Sequence, residues 1–264
     1  MCLIAFAWQA HAVFPLIVAA NRDEYHSRPT APSAWWPETP DILAGRDLRS
    51  GGSWMGISRQ GGFAALTNFR GPELESADAP SRGNLVLDYL RTSNAPQAYA
   101  KELEASAGAY NGFNLLAGNL GELVYFGNRE APPTLLVPGT YGLSNAWLNT
   151  PWPKLTMLKS ALGVALGQVN AAEAVQERVS GLMSSLFSAL GNADPAPMDH
   201  LPQTGIPIER ERVLSSALIV DPIYGTRAST VLCVSRNGEV YWEERTRSPS
   251  GATTHTVAES FSLA

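Results

Sequence analysis

Only two cysteines, Cys2 and Cys233, occur in the 264 residues of this chain, and that scarcity removes whole classes of function. Two isolated thiols build neither a disulfide framework nor a Cys-based zinc site, so no metal is expected. Both read as reduced, which suits a cytoplasmic protein. No Cys-x-x-Cys-His stretch is present, so any haem is noncovalent. Positive charge is also short: 19 Lys and Arg against 24 Asp and Glu leave a net charge of −5. Such a chain has no basic field to hold a phosphate backbone, and nucleic acid is not an expected partner. No apolar run reaches the ~18–20 residues of a membrane span. The apolar stretch 1–20 lacks a basic leading region and is broken by Gln9, His11 and Pro15, so it reads as two short strands rather than a signal peptide. No Pro/Gly/Ser linker or charge run divides the sequence. Residues 1–264 therefore read as a single domain, and 45% hydrophobic content suffices for a full core.

What is present reads first as antiparallel strands. Cys2–Trp8 and Phe14–Asn21 are apolar runs joined by a short loop, and Trp54–Ser58 and Phe63–Phe69 flank the turn at Gly61-Gly62. Gly112–Gly118 pairs with Glu122–Gly127, and Thr230–Ser235 with Glu239–Thr246 across Asn237-Gly238, a dipeptide that tolerates positive φ at both positions. Helices are expected at Asn84–Thr92, at Pro96–Ala105 capped by Asn94, at Pro153–Leu166, and at Ala171–Leu190 capped by Asn170. The proline-rich stretch 192–208 reads as loop, and Gly142 to Ala146 as a turn. Strands at both ends with two helical pairs between them fit an α+β layered fold in which helices cover antiparallel sheet.

The residue with the most chemistry is Cys2. If Met1 is removed, one residue carries both a thiol and a free α-amine, and an amine with a pKa of about 7.7–8.0 accepts the thiol proton near neutral pH without a distant histidine. The second strand ends in Asn21-Arg22-Asp23-Glu24, and hairpin pairing brings that polar end beside the thiol. A carboxylate there holds the amine, and an arginine lowers the thiol pKa. Asn-bearing turns at Asn68, Asn111 and Asn145 offer amides and backbone N–H groups to a developing oxyanion. Trp35, Trp36, Trp54, Trp147 and Trp152 are candidates to line an apolar pocket.

In this order along the chain, Met1-Cys2, Ala19-Ala20-Asn21-Arg22-Asp23-Glu24, Gly51-Gly52-Ser53-Trp54-Met55-Gly56, Leu66-Thr67-Asn68-Phe69, Tyr110-Asn111-Gly112-Phe113-Asn114, Gly142-Leu143-Ser144-Asn145 and Tyr224-Gly225-Thr226-Arg227 resemble the NRDE family, also called the transport and Golgi organisation protein 2 family. The N-terminal Cys, the Asn-x-Asp pattern and the late Arg are more distantly similar to the choloylglycine hydrolase and penicillin V acylase branch of the N-terminal-nucleophile hydrolases.

That second similarity implies a four-layer αββα fold with two stacked antiparallel sheets. It also implies a cysteine hydrolase or acyltransferase that acts on a non-peptide C–N amide or acyl substrate and requires no cofactor. Carried over, Cys2 is the nucleophile, Asp23 orients its amine, Asn145 and the Asn68 backbone form the oxyanion hole, and Arg227 supports the thiolate. Asn21, Arg22, Glu24, Trp54 and Asn111 are the expected substrate-binding set. One departure stands out: the branch has an Arg just before Asn-x-Asp, where this chain has Ala20, and Arg22 need not replace it. The NRDE resemblance implies an alternative, reversible haem binding and trafficking or acyl-CoA and lipid binding. For haem, Cys2, His11, His26, His200 and His255 are the candidate ligands.

Overall fold

The computed structural model describes residues 2–71, 75–92, 94–129, 132–169 and 174–264. The elements run β1 (Cys2–Trp8), β2 (Leu16–Tyr25), β3 (Thr30–Trp36), β4 (Thr39–Asp47), β5 (Met55–Ser58), β6 (Phe63–Asn68), α1 (Gly83–Arg91), α2 (Pro96–Glu104), β7 (Phe113–Gly118) and β8 (Leu123–Gly127). They continue with β9 (Thr134–Leu135), β10 (Gly139–Leu143), α3 (Pro153–Gly167), α4 (Val175–Leu190), α5 (Ile208–Leu214), β11 (Tyr224–Val234), β12 (Glu239–Arg247) and β13 (Thr253–Ser262). Met1, Asn170 and Ala171, on which the expected methionine removal and helix start rest, lie outside the described residues.

Two antiparallel sheets are stacked. One has the order β10-β1-β2-β11-β12-β13 and the other β3-β4-β5-β6-β7-β8-β9. All seven residues of β1 are buried because both faces of the strand are covered, which is why it reads as an unbroken apolar run. Ile4, Phe6 and Trp8 point between the sheets with Val18, Met55, Phe63, Leu116 and Trp242. Leu3, Ala5 and Ala7 point outward to Leu155, Leu158 and Leu162 of α3 and Leu182 and Leu186 of α4. The second sheet is covered in the same way, with Ala64, Leu66 and Leu115 against Leu85, Val86 and Leu90 of α1 and Leu103 of α2. The layers are thus α3/α4, sheet, sheet, α1/α2, the four-layer αββα order expected.

Several local expectations need correction. Asn94 does not cap α2; Ala95 occupies that position without a side-chain cap, and the Asn94 N–H donates to Thr92 Oγ1 at 3.1 Å. Strands β3 and β13 escape the sequence pattern because both are sheet edges. Pro32 sits in β3, as a proline is free to do at an edge, and β13 is largely exposed, with Phe261 turned in against Trp35. Of the expected turn Gly142 to Ala146, Gly142 and Leu143 belong to strand β10, paired with β1, and the chain bends only from Ser144. Helix α5 begins after Pro207, which occupies the cap position.

Candidate active site

The pairing of β1 with β2 sets Cys2 opposite Arg22, and the alternation of a strand then decides where each neighbour points. Asn21 follows Ile17 and Ala19 to the helical side. There its Nδ2 donates to the Leu190 and Ala217 carbonyls at 2.9 and 2.8 Å. It is a buried tie between β2 and the helical layer and is not among the cleft-lining residues. Cys2 and Arg22 lie on the opposite side of the strand pair. They open onto a cleft of about 530 Å³ whose walls are mostly polar and include Asp23, Glu24, Asp47, Trp54, Asn68, Arg82 and Asn111. A second cavity of about 520 Å³ beside α1 and β5 holds none of the candidate catalytic, substrate-binding or haem-ligating residues.

Arg22 is the most constrained cation of the cleft. Its side chain is 7% exposed, and its Nη2 lies 4.0 Å from both Glu24 Oε2 and Asp47 Oδ2. Its guanidinium sits 4.4 Å over the Trp54 ring, and its Nη1 is buried with no hydrogen-bond partner among the described residues. Trp54 reaches this position because Gly45 has no side chain: a Cβ there would stand 2.2 Å from the ring. A similar close approach joins the cleft to α1, where Gly52 touches Gly83 backbone and Ser53 N–H donates to the Gly83 carbonyl at 3.1 Å. Asn111 holds the next wall by pairing its side-chain amide with the N–H and carbonyl of Ser76, at 2.8 and 2.9 Å.

Asp23 is buried and lies one step past Arg22 on β2. Its Oδ1 accepts from Thr226 Oγ1 at 2.7 Å, its carbonyl accepts from Tyr224 OH at 3.0 Å, and its Oδ2 lies 4.0 Å from Lys154 Nζ. Burial pushes the Asp23 carboxyl up and the Lys154 ammonium down, and each opposes the shift in the other. Burial also raises the Cys2 thiol; Asp23 and Glu24 push it the same way, and Arg22 pulls it back.

The far wall stitches the sheets together. Ser144 Oγ donates to the Cys2 carbonyl at 3.0 Å, Thr67 Oγ1 to the Ser144 carbonyl at 2.5 Å, and Asn114 Nδ2 to Thr67 Oγ1 at 3.1 Å. Asn145 is fully buried behind the cleft rather than lining it, and its Nδ2 donates to the Asn68 carbonyl at 2.8 Å. Leu66 N–H donates to the Trp54 carbonyl and Phe69 N–H to Gly112. Strand alternation therefore turns the Asn68 N–H away from β7, beyond the start of β5, on the side where Asn68 lines the cleft.

Arg227 is placed elsewhere. It occupies the irregular step of β11 between Thr226 and Ala228, and its guanidinium donates to the carbonyls of Tyr25, His26 and Arg28 and to Thr30 Oγ1. It clamps the turn between β2 and β3. The Tyr-Gly-Thr-Arg motif reaches the site through Thr226, and the guanidinium beside Cys2 is that of Arg22. Lys154 was missed as well, although a lysine in the first turn of a helix is on the unfavourable end of the dipole and marks an anomaly. The expected apolar pocket of tryptophans does not form: Trp54 alone among the five lines the cleft. Trp36 is buried and donates to the Ala44 carbonyl, and Trp147 packs on Phe69 at the surface. His11, His26, His200 and His255 also lie outside the cleft lining, so the polar walls and the single thiol do not fit a flat apolar haem with a histidine ligand.

The sequence profile of the Transport and Golgi organisation 2 family matches residues 1–249. The chain belongs to that family. A Transport and Golgi organization protein 2 homolog of Homo sapiens is 39% identical over 264 residues, covering 93% of this chain and 92% of that protein. The Drosophila melanogaster Transport and Golgi organization protein 2 is 28% identical over 269 residues, with the same coverage of both chains. Among solved structures, a penicillin V acylase from Agrobacterium tumefaciens superposes with a TM-score of 0.50 at 10% identity, covering 97% of this chain and 90% of that one. At that identity the likeness speaks for the fold, and the N-terminal-nucleophile-hydrolase-like fold of this family member agrees with it. No described helix is long and apolar enough to cross a membrane.

Proposed function

We propose that this chain is a cysteine N-terminal-nucleophile amidohydrolase or acyltransferase acting on a non-peptide C–N amide or acyl substrate with polar groups. The observation that carries the reading is that Cys2 lines one polar cleft together with Arg22, Asp23 and Asn68. The thiol is held above its ordinary pKa by burial, so it is not a standing thiolate and needs a base at hand. Removal of Met1 supplies one on the same residue.

In the proposed cycle the Cys2 amine takes the thiol proton as sulfur attacks the substrate carbonyl. The oxyanion accepts from Asn68 N–H, whose strand end Asn145 holds in place. The C–N bond breaks as the α-ammonium returns the proton to the leaving amine. Water then attacks the thioester, giving its proton to the amine, and the thiol is restored as the acid leaves. Trp54 and Asn111 form walls, and Arg22 and Glu24 set the charge the substrate must complement.

Intact mass of purified protein and turnover of a series of N-acyl amides test this. The expected result is a chain lacking Met1 whose activity is lost in Cys2→Ala. A chain that retains Met1 has no attached base, and the same cleft is then a reversible binding site for an acyl compound; full amidase activity in Cys2→Ala overturns the scheme directly.

A further inference from the structure

We propose that Lys154 is a positioning residue of the Cys2 centre, holding Asp23 as a carboxylate next to the Cys2–Arg22 strand pair. The inference rests on Cys2 acting as an N-terminal nucleophile. Lys154 is 3% exposed and lies in the first turn of α3. Its Nζ makes no hydrogen bond to the described residues, and the anion 4.0 Å away is Asp23 Oδ2. Burying an ammonium is expensive unless a charge compensates it, and a methionine fills the same space without that penalty. The helix dipole at this end works against a cation as well. Packing alone thus gives no reason for a lysine here.

The surroundings point its charge at Asp23. The cation and anion on the far side, Arg70 and Glu211, pair with each other at 3.2 Å. Thr226 and Tyr224 of β11 hydrogen-bond Asp23 at its Oδ1 and its carbonyl, so neither neutralises the carboxylate. Arg22 is drawn to Glu24, Asp47 and Trp54 on the other side of the strand. Burial raises the Asp23 carboxyl, and Lys154, ahead of the N-terminal ammonium and Arg22, is the largest of the charges that oppose it; a neutral Asp23 no longer favours an ammonium at Cys2. Lys154 is absent from the cleft lining, so it acts through Asp23 rather than on substrate.

Because the chain has only two cysteines, protein labelled with ¹³Cβ-cysteine gives two resonances, and the Cys2 signal reports titration of its amine and thiol. Cys233 is silent over the range, its thiol pushed up to about 12 by burial. Full-length protein is titrated from about pH 5 to about pH 10 as wild type, Lys154→Met, Asp23→Asn and the double variant. The expected result is a fall in the Cys2 amine inflection of about one unit in each single variant, with the double variant no lower than either. Lys154→Gln serves if Lys154→Met does not fold. An inflection unmoved by the Lys154 variants while Asp23→Asn shifts it overturns the inference and leaves the nucleophile standing, as does a double variant whose shift is the sum of the two. Absence of any Cys2 amine titration in wild type overturns the nucleophile reading, and the inference with it.

Discussion

Gly45→Ala is a small change with a large expected effect, because the new methyl group has no free space. A Cβ at position 45 falls 2.2 Å from Trp54 Cη2 and 2.3 Å from Cζ2, well inside carbon–carbon contact of about 3.5–4.0 Å. The ring cannot simply recede, since the Arg22 guanidinium lies over it at 4.4 Å. Overpacking of this kind destabilises by about 1–3 kcal/mol. For a domain of this size a loss near the middle of that range lowers Tm by roughly 4–8 °C. Thermal unfolding of four proteins isolates the cause: wild type, Gly45→Ala, Trp54→Leu and the double variant. With the indole gone, the alanine should be tolerated at little or no expense in stability. An equal loss of Tm with and without Trp54 refutes the idea that Gly45 exists to seat this ring. The alanine should also disturb Arg22 and so slow alkylation of Cys2.

Three other outcomes follow from the site. Arg22→Met should raise the Cys2 thiol further and slow its alkylation by iodoacetamide at neutral pH on the order of tenfold, whereas Arg227→Met should leave that rate unchanged; the reverse pattern means the thiolate is supported by Arg227 after all. Asn21→Ala leaves the Leu190 and Ala217 carbonyls without their donor and should lower stability in denaturant melts by about 2–4 kcal/mol, and a change in Cys2 reactivity without that loss contradicts its structural role. Glu244, buried between the sheets, accepts from Ser33 N–H at 2.7 Å, and burial raises its carboxyl. A raised acid binds its proton more tightly when folded, so its contribution is full below the ordinary carboxylate range and fades as pH rises through the folded value. Wild type should therefore lose Tm relative to Glu244→Gln on going from about pH 5 to about pH 8; a constant difference contradicts the assignment.

The strands that built the floor of the site were legible because they are buried on both faces, as Cys2–Trp8 is, or are joined by a turn of fixed chemistry, as at Asn237-Gly238, where Gly238 adopts φ +81°. The edges were not, since β3 and β13 lack the apolar alternation that burial imposes. Within the site, period-two reasoning continued from Ile17 and Ala19 already sends Asn21 to the helices and Arg22 to the cleft, so both directions are legible in the sequence. Lys154 was not recoverable in the same way. It lies 131 residues from Asp23 in sequence, and the two meet only because α3 packs on β1. Arg227 and Thr226 are adjacent in sequence, and a strand irregularity decides which of them meets Asp23.

The central claim is that Cys2 carries the acyl group during turnover. Acid-quenched intact-mass spectrometry with peptide mapping, on protein mixed with activated acyl esters and N-acyl amides, tests it most directly. The account predicts a chain lacking Met1 that gains one acyl mass, located on Cys2, with no gain in Cys2→Ala. An unmodified Cys2 in protein that is hydrolysing substrate, or an acyl group of equal yield in Cys2→Ala, contradicts it.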